Sequence, residues 1–159
     1  MTKLRTLFGA TLIAAAFGST AFASSPDVYV VKFRADQDAK SQTLDSQLAS
    51  AIAMAGANVQ EVTIDTSTAA RWEKSAHEAF DHDIVPVFNK WVGLPGFAAV
   101  VDAKSKRVIG CLGANIDAGT MARELGKMSA KASGNAYMSN ASTRSVTQCP
   151  PAFNVDPGL

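Results

Sequence analysis

Val28, Tyr29, Val30, Val31 and Phe33, broken only by Lys32, make a short run that is β-rich and almost continuously apolar. A strand with one wet face alternates apolar and polar residues, whereas a run without alternation is buried on both faces, as in a parallel sheet covered by helices. That pattern restricts the chain to a layered α/β fold. The next segments alternate as such a fold requires. Leu44, Leu48, Ala51, Ile52 and Ala55 recur at helical spacing between Ser41 and Ala55, and Gly56 and Asn58 end the run. Val59 to Asp65 reads as a second strand. Thr66, Ser67 and Thr68 can each cap the following helix, because a side-chain oxygen there accepts from an otherwise unpaired amide. That helix is predicted from about Ala69 to His82, with Pro86 limiting its extension.

A further strand is predicted after Pro95. It turns around Ala103 to Lys106 and pairs with Arg107 to Leu112; only a hairpin joins the two, so they should run antiparallel. Asn115 to Met128 is predicted as the last helix, with Ile116, Met121, Leu125 and Met128 inward. From Ser133 the chain turns polar and loses periodicity, so residues 133–159 form a tail that should pack only if a crosslink ties it down.

The first residues carry a different signal. Lys3 and Arg5 precede an apolar stretch from Leu7 to Phe17 and a small-residue ending at Ala21, Phe22 and Ala23. These are the basic, apolar and cleavage regions of a secretory signal peptide, assigned to residues 1–23. The apolar stretch is too short for a bilayer span, which takes about 20 residues. Cleavage would leave residues 24–132 as one domain followed by the tail. The expected location is periplasmic or secreted, with no membrane insertion after cleavage.

The full chain has 15 Lys+Arg and 14 Asp+Glu; without Lys3 and Arg5, 13 basic residues face 14 acidic ones, a net charge of −1. No basic stripe stands out, which argues against nucleic acid as a partner. Two cysteines remain, Cys111 and Cys149. In an oxidising compartment such a pair is expected as a disulfide that staples the tail to the sheet. A redox pair, a mixed disulfide with a client, or two thiols stay open as alternatives.

The order β-α-β-α-β-β-α, together with four local words, resembles the thioredoxin family. Val31 to Ala35 is similar to the family's Val-Asp-Phe-Trp-Ala strand end, and Thr63, Ile64 and Asp65 to its second central strand. Gly93, Leu94 and Pro95, followed by Phe97 to Val101, resemble the Gly-Ile-Pro-Thr signature, whose proline is cis in that family. Val108 to Ala114 resembles the last strand and its Val-Gly-Ala ending. The resemblance spans Val28 to Met128 and implies a thioredoxin-like three-layer sandwich with a mixed sheet. Another small α/β sandwich or a ferredoxin-like fold is the alternative. Where the family carries Cys-x-x-Cys, residues 35–40 hold no sulfur, and Lys32 stands in place of the family's buried Asp. The family's thiol chemistry needs a nucleophilic thiolate at a helix start, so the family mechanism is not available and no cofactor is implied.

If the fold follows the family, the loop at Leu94 and Pro95 faces the stretch from Asp36 through Gln37 and Asp38 to Lys40, and the two form a surface for a peptide strand. Phe88 and Trp91 would extend it if they are exposed. Glu73, His77 and Asp81, followed by His82, have the spacing of a helical metal site and equally that of an ordinary wet helix face. No serine nucleophile motif, phosphate loop or carboxylate pair is present. The sequence therefore favours a non-catalytic protein that binds another envelope protein or peptide, as part of an assembly such as a secretion or conjugation machine. A thiol-disulfide oxidoreductase using Cys111 and Cys149 is one alternative, and a metal-binding protein another.

Overall fold

The computed structural model describes residues 25–135 and 147–152, so the predicted leader lies outside the described residues, as do parts of the tail. Eight elements follow one another: β1 (Val28–Arg34), α1 (Ala39–Ala55), β2 (Val59–Asp65), α2 (Ala69–Asp81), α3 (Val85–Trp91), β3 (Phe97–Asp102), β4 (Val108–Gly113) and α4 (Ala118–Ala132). The four strands form one mixed sheet in the order β2-β1-β3-β4. β1 runs parallel to β2 and antiparallel to β3, and β4 returns antiparallel to β3 as the hairpin predicts.

Both faces of β1 are covered, which is why its sequence does not alternate. Val28 and Val30 pack with Leu44, Leu48 and Ala51 of α1 and with Met121 and Leu125 of α4. Val31 and Phe33 point the other way, into Ala79 of α2, Val87, Phe88 and Trp91 of α3, and Ile64 of β2. Helices therefore lie on both sides of the sheet, and the architecture is three-layered α/β.

Helix ends follow local chemistry. Asp38 caps α1, its Oδ2 accepting from the Ser41 amide at 2.8 Å, and Gly56 closes the helix in the left-handed region at φ 58°. Thr68 caps α2 and Asp117 caps α4. The last helix begins later than its sequence pattern indicates because Asp117, not Asn115, provides the cap, and it runs on to Ala132.

α3 was not expected from the sequence. It starts immediately after Ile84 with Pro86 in its first turn, a position where the missing amide of proline costs no hydrogen bond. Pro86 thus ends α2's reach and opens a new helix. The bond between Leu94 and Pro95 is trans, since the described residues contain no cis peptide, and this corrects the expectation of a cis proline there.

Candidate functional site

β1 and β2 end, and α1, α2 and α4 begin, at the same edge of the molecule. β3 starts there at Phe97 and β4 finishes there at Gly113. This edge is where the sequence places the candidate partner surface, and its two halves have different characters.

One half is an ion-pair cluster. The Arg34 guanidinium lies 2.9 Å from Asp36 Oδ1, 3.3 Å from Asp45 Oδ2 and 2.6 Å from Asp65 Oδ2. Arg71, in the first turns of α2, approaches Asp36 Oδ2 to 2.5 Å and Asp65 Oδ2 to 3.2 Å. Lys32, on the same face of β1 as Arg34, pairs with Asp45 at 3.0 Å and Glu61 at 2.6 Å. Burial alone would lower the Lys32 pKa, but hydrogen bonds to Glu61 and Asp45 outweigh it and hold the ammonium above its ordinary range. For Asp65, burial would raise the pKa, yet the Ser67 hydroxyl and amide and the Arg34 guanidinium all donate to it and hold the carboxyl below its ordinary value. The loop after β1 is tied in turn, its Asp36 amide donating to Ser67 Oγ at 2.8 Å.

The other half is a cleft. Two adjoining depressions of about 420 and 470 Å³ share Lys40, Gly96, Gly113 and Asn115. The larger one is walled by Leu94 and Pro95 on one side and by Gln148, Cys149, Pro150 and Pro151 on another. Gly96 sits at φ +91°, and a Cβ there would fall 2.8 Å from Lys40 Cβ and 3.1 Å from Asp38 Oδ2, so its missing side chain lets the loop close onto the start of α1. Its amide donates to the Phe33 carbonyl at 2.9 Å.

The wall formed by residues 147–152 is a strap returned from the tail. Cys111 and Cys149 form a disulfide, with Cα atoms 4.8 Å apart. Among the described residues two hydrogen bonds accompany it: the Cys111 amide to the Thr147 carbonyl at 2.9 Å, and Trp91 Nε1 to the Pro150 carbonyl at 3.2 Å. Two such bonds contribute about 1–3 kcal/mol together. Closing a loop across the 38-residue separation of the cysteines costs about 4 kcal/mol in chain entropy when no covalent bond does it. The disulfide is therefore the strongest single tie on the strap, with the packing of Cys149 against the core adding to it.

The candidate residues separate accordingly. Leu94 and Pro95 line the cleft and Gln37 is exposed in the neighbouring loop. Asp38 is engaged as a helix cap and Asp36 as an ion-pair partner. Phe88 and Trp91 are only 5% and 0% exposed, which corrects the reading of these two as a surface patch: they pack behind the sheet with Phe33 and Phe97. Among the described residues the exposed large apolar side chains are Met54 on α1, at 57%, and Trp72, at 46%, and Phe80, at 75%, on α2.

Among the described residues no group of three or more His, Cys, Asp or Glu is placed to hold an ion. Glu73, His77 and Asp81 are exposed along α2, where eight residues of helix span about 12 Å, too far for one ion to bridge. His82 instead packs against the Tyr29 ring at 5.3 Å between centroids. Sequence reasoning reached Lys40 as the end of the loop after β1 but missed Gly96 and Asn115, which become its neighbours only when the sheet edge is assembled. The strap residues Gln148, Pro150 and Pro151 had one usable signal, their adjacency to Cys149.

Comparison of the chain with protein-family models, curated proteins and solved structures finds no match. Among the described residues no helix is long and apolar enough to cross a membrane.

Proposed function

We propose that this chain is an exported, non-catalytic member of the thioredoxin-like class that holds a segment of another envelope protein in the cleft at the sheet edge. One observation carries the reading. The loop after β1, where the thioredoxin family keeps its reactive thiols, has no sulfur and spends its carboxylates on a helix cap and ion pairs, while an open cleft beside it remains lined by Leu94, Pro95 and Lys40. The strand order and directions agree with the thioredoxin-like class, and the leader-like first residues together with the disulfide agree with an oxidising compartment outside the cytoplasm.

A photo-crosslinking amino acid placed at Leu94 tests the reading in the intact envelope of the source cell, with the same group at Ser105, in the β3–β4 turn at the far end of the sheet, as control. The expected result is a discrete adduct from the Leu94 position and none from Ser105. Equal or absent adducts at both positions would sink it. Catalysed reduction or isomerisation of a test disulfide by the purified protein would replace it with the oxidoreductase reading.

A further inference from the structure

The two depressions of the cleft meet at a polar pair. Lys40 and Asn115 line both, together with Gly96 and Gly113. The Lys40 stem lies across the bare backbone at Gly96, its Cβ 2.8 Å and its Cδ 3.5 Å from where a Gly96 Cβ would sit. Asn115 Oδ1 lies 2.6 Å from the corresponding point at Gly113, so its amide group folds over that glycine. Beyond this boundary the walls are apolar, with Ala39 and Ala114 on one side and Leu94, Pro95, Pro150 and Pro151 on the other.

Lys40 also occupies an unfavourable place for a lysine. It is the second residue of α1, where the helix macrodipole disfavours a cation and favours Asp or Glu. Among the described residues no carboxylate pairs with its ammonium. Asp38 and Asp117, which cap the two helices that begin here, accept from the Ser41 and Thr120 amides and line neither depression. Among the described lining residues Lys40 is the one charged side chain, so the cleft presents uncompensated positive charge between apolar walls. A residue that breaks a local rule without an internal gain marks a functional position.

We infer that the segment held in this cleft is acidic: an Asp or Glu carboxylate of the partner sits against Lys40 and the Asn115 amide, with apolar side chains to either side of it. The inference rests on the binding reading and adds to it the chemistry of the partner. A carboxylate accepts from an ammonium and from an amide at once, and the bond to the ammonium is the stronger, charge-assisted kind. A basic segment would bring like charges together at Lys40. A wholly apolar segment would cover the ammonium and leave it without a partner.

The full chain carrying the photo-crosslinking group at Leu94 is made with Lys40 unchanged, as Lys40→Arg and as Lys40→Glu, and adduct yields are compared in the intact envelope. Glutamate suits the second position of a helix, so Lys40→Glu should melt no earlier than the unchanged chain. An adduct is expected from the Lys40 and Lys40→Arg chains, and about tenfold less of it from Lys40→Glu. The adduct from the unchanged chain is then digested and its linked peptide sequenced by mass spectrometry. An Asp or Glu is expected within about three residues of the linked position, a reach of about 10 Å along an extended segment. Undiminished adduct from Lys40→Glu, or a linked peptide with no acidic residue in that reach, overturns the acidic partner and leaves the binding reading standing. If Lys40→Glu melts early, the linked peptide decides alone. No adduct from the unchanged chain, or a linked peptide that comes from this chain itself, overturns both.

Discussion

The indole Nε1 of Trp91 donates to the carbonyl oxygen of Pro150 at 3.2 Å, joining the last residue of α3 to a strap 59 residues later in the chain. The ring itself is fully buried and edge-on to Phe33 and Phe97, so one side chain serves both the core and the strap. Trp91→Phe should lower stability through both roles. Combining it with a truncation after residue 146 separates them, since the coupling between the two changes reads the contact with the strap alone. A coupling of about 1 kcal/mol is expected from denaturant midpoints, the worth of one hydrogen bond. Strict additivity would mean that the bond contributes nothing.

Phe88 and Phe80 look alike in sequence and differ in place. Phe88 is 5% exposed with Trp72 edge-on to it, whereas Phe80 is 75% exposed. Phe88→Ala should cost about 3–5 kcal/mol, the usual range for emptying a core aromatic site. Phe80→Ser should change stability by no more than about 0.5 kcal/mol. Comparable losses for the two, measured by urea unfolding, would contradict the burial assignment.

The contrast between these residues shows what the sequence could and could not carry. The strand run at Val28, the cap at Thr68 and the β3–β4 hairpin were legible because each depends on residues within one element or one turn. α3 was not, because it is seven residues long and its Pro86 reads as a breaker even though a first-turn proline is compatible with a helix. The site was less legible still. Asp36 is defined by Arg71, 35 residues away, and the cleft by strand ends that meet only across the sheet. The one long-range contact that composition announced was the cysteine pair, since two cysteines leave a single intramolecular pairing.

Gly96 and Gly93 test how tightly the cleft loop is fixed. Both have φ near +90°, but a Cβ at Gly93 meets nothing within 4 Å while one at Gly96 strikes Lys40 Cβ at 2.8 Å. Gly93→Ala should show only backbone strain, about 1 kcal/mol. Gly96→Ala adds the collision with α1 and should cost about 2–3 kcal/mol. The loop would also shift, so the Gly96 amide should lose protection against exchange. If the two variants melt together, the loop yields without strain and the cleft is not rigidly set by α1.

The pH dependence of stability follows from Asp65 and Lys32. Asp65 has a folded pKa below its ordinary 3.8, so its contribution is complete above that value and is lost as pH falls through the folded value. Lys32 has a folded pKa above its ordinary 10.5, so its contribution is complete below 10.5 and is lost as pH rises through the folded value. Neither group titrates in the middle range, and both therefore leave stability flat between about pH 5 and 9. Asp65→Asn removes the acid-side loss by removing its source. The variant should melt below wild type at pH 7, where Arg34 and Arg71 have lost a carboxylate partner. The two curves should converge as pH falls below 4, where the wild-type carboxylate is being protonated. Melting temperatures taken at intervals from pH 7 to 2.5 give the answer. Curves that stay parallel through that range would show that Asp65 is not held ionised by its neighbours and that the cluster does not anchor the loop after β1.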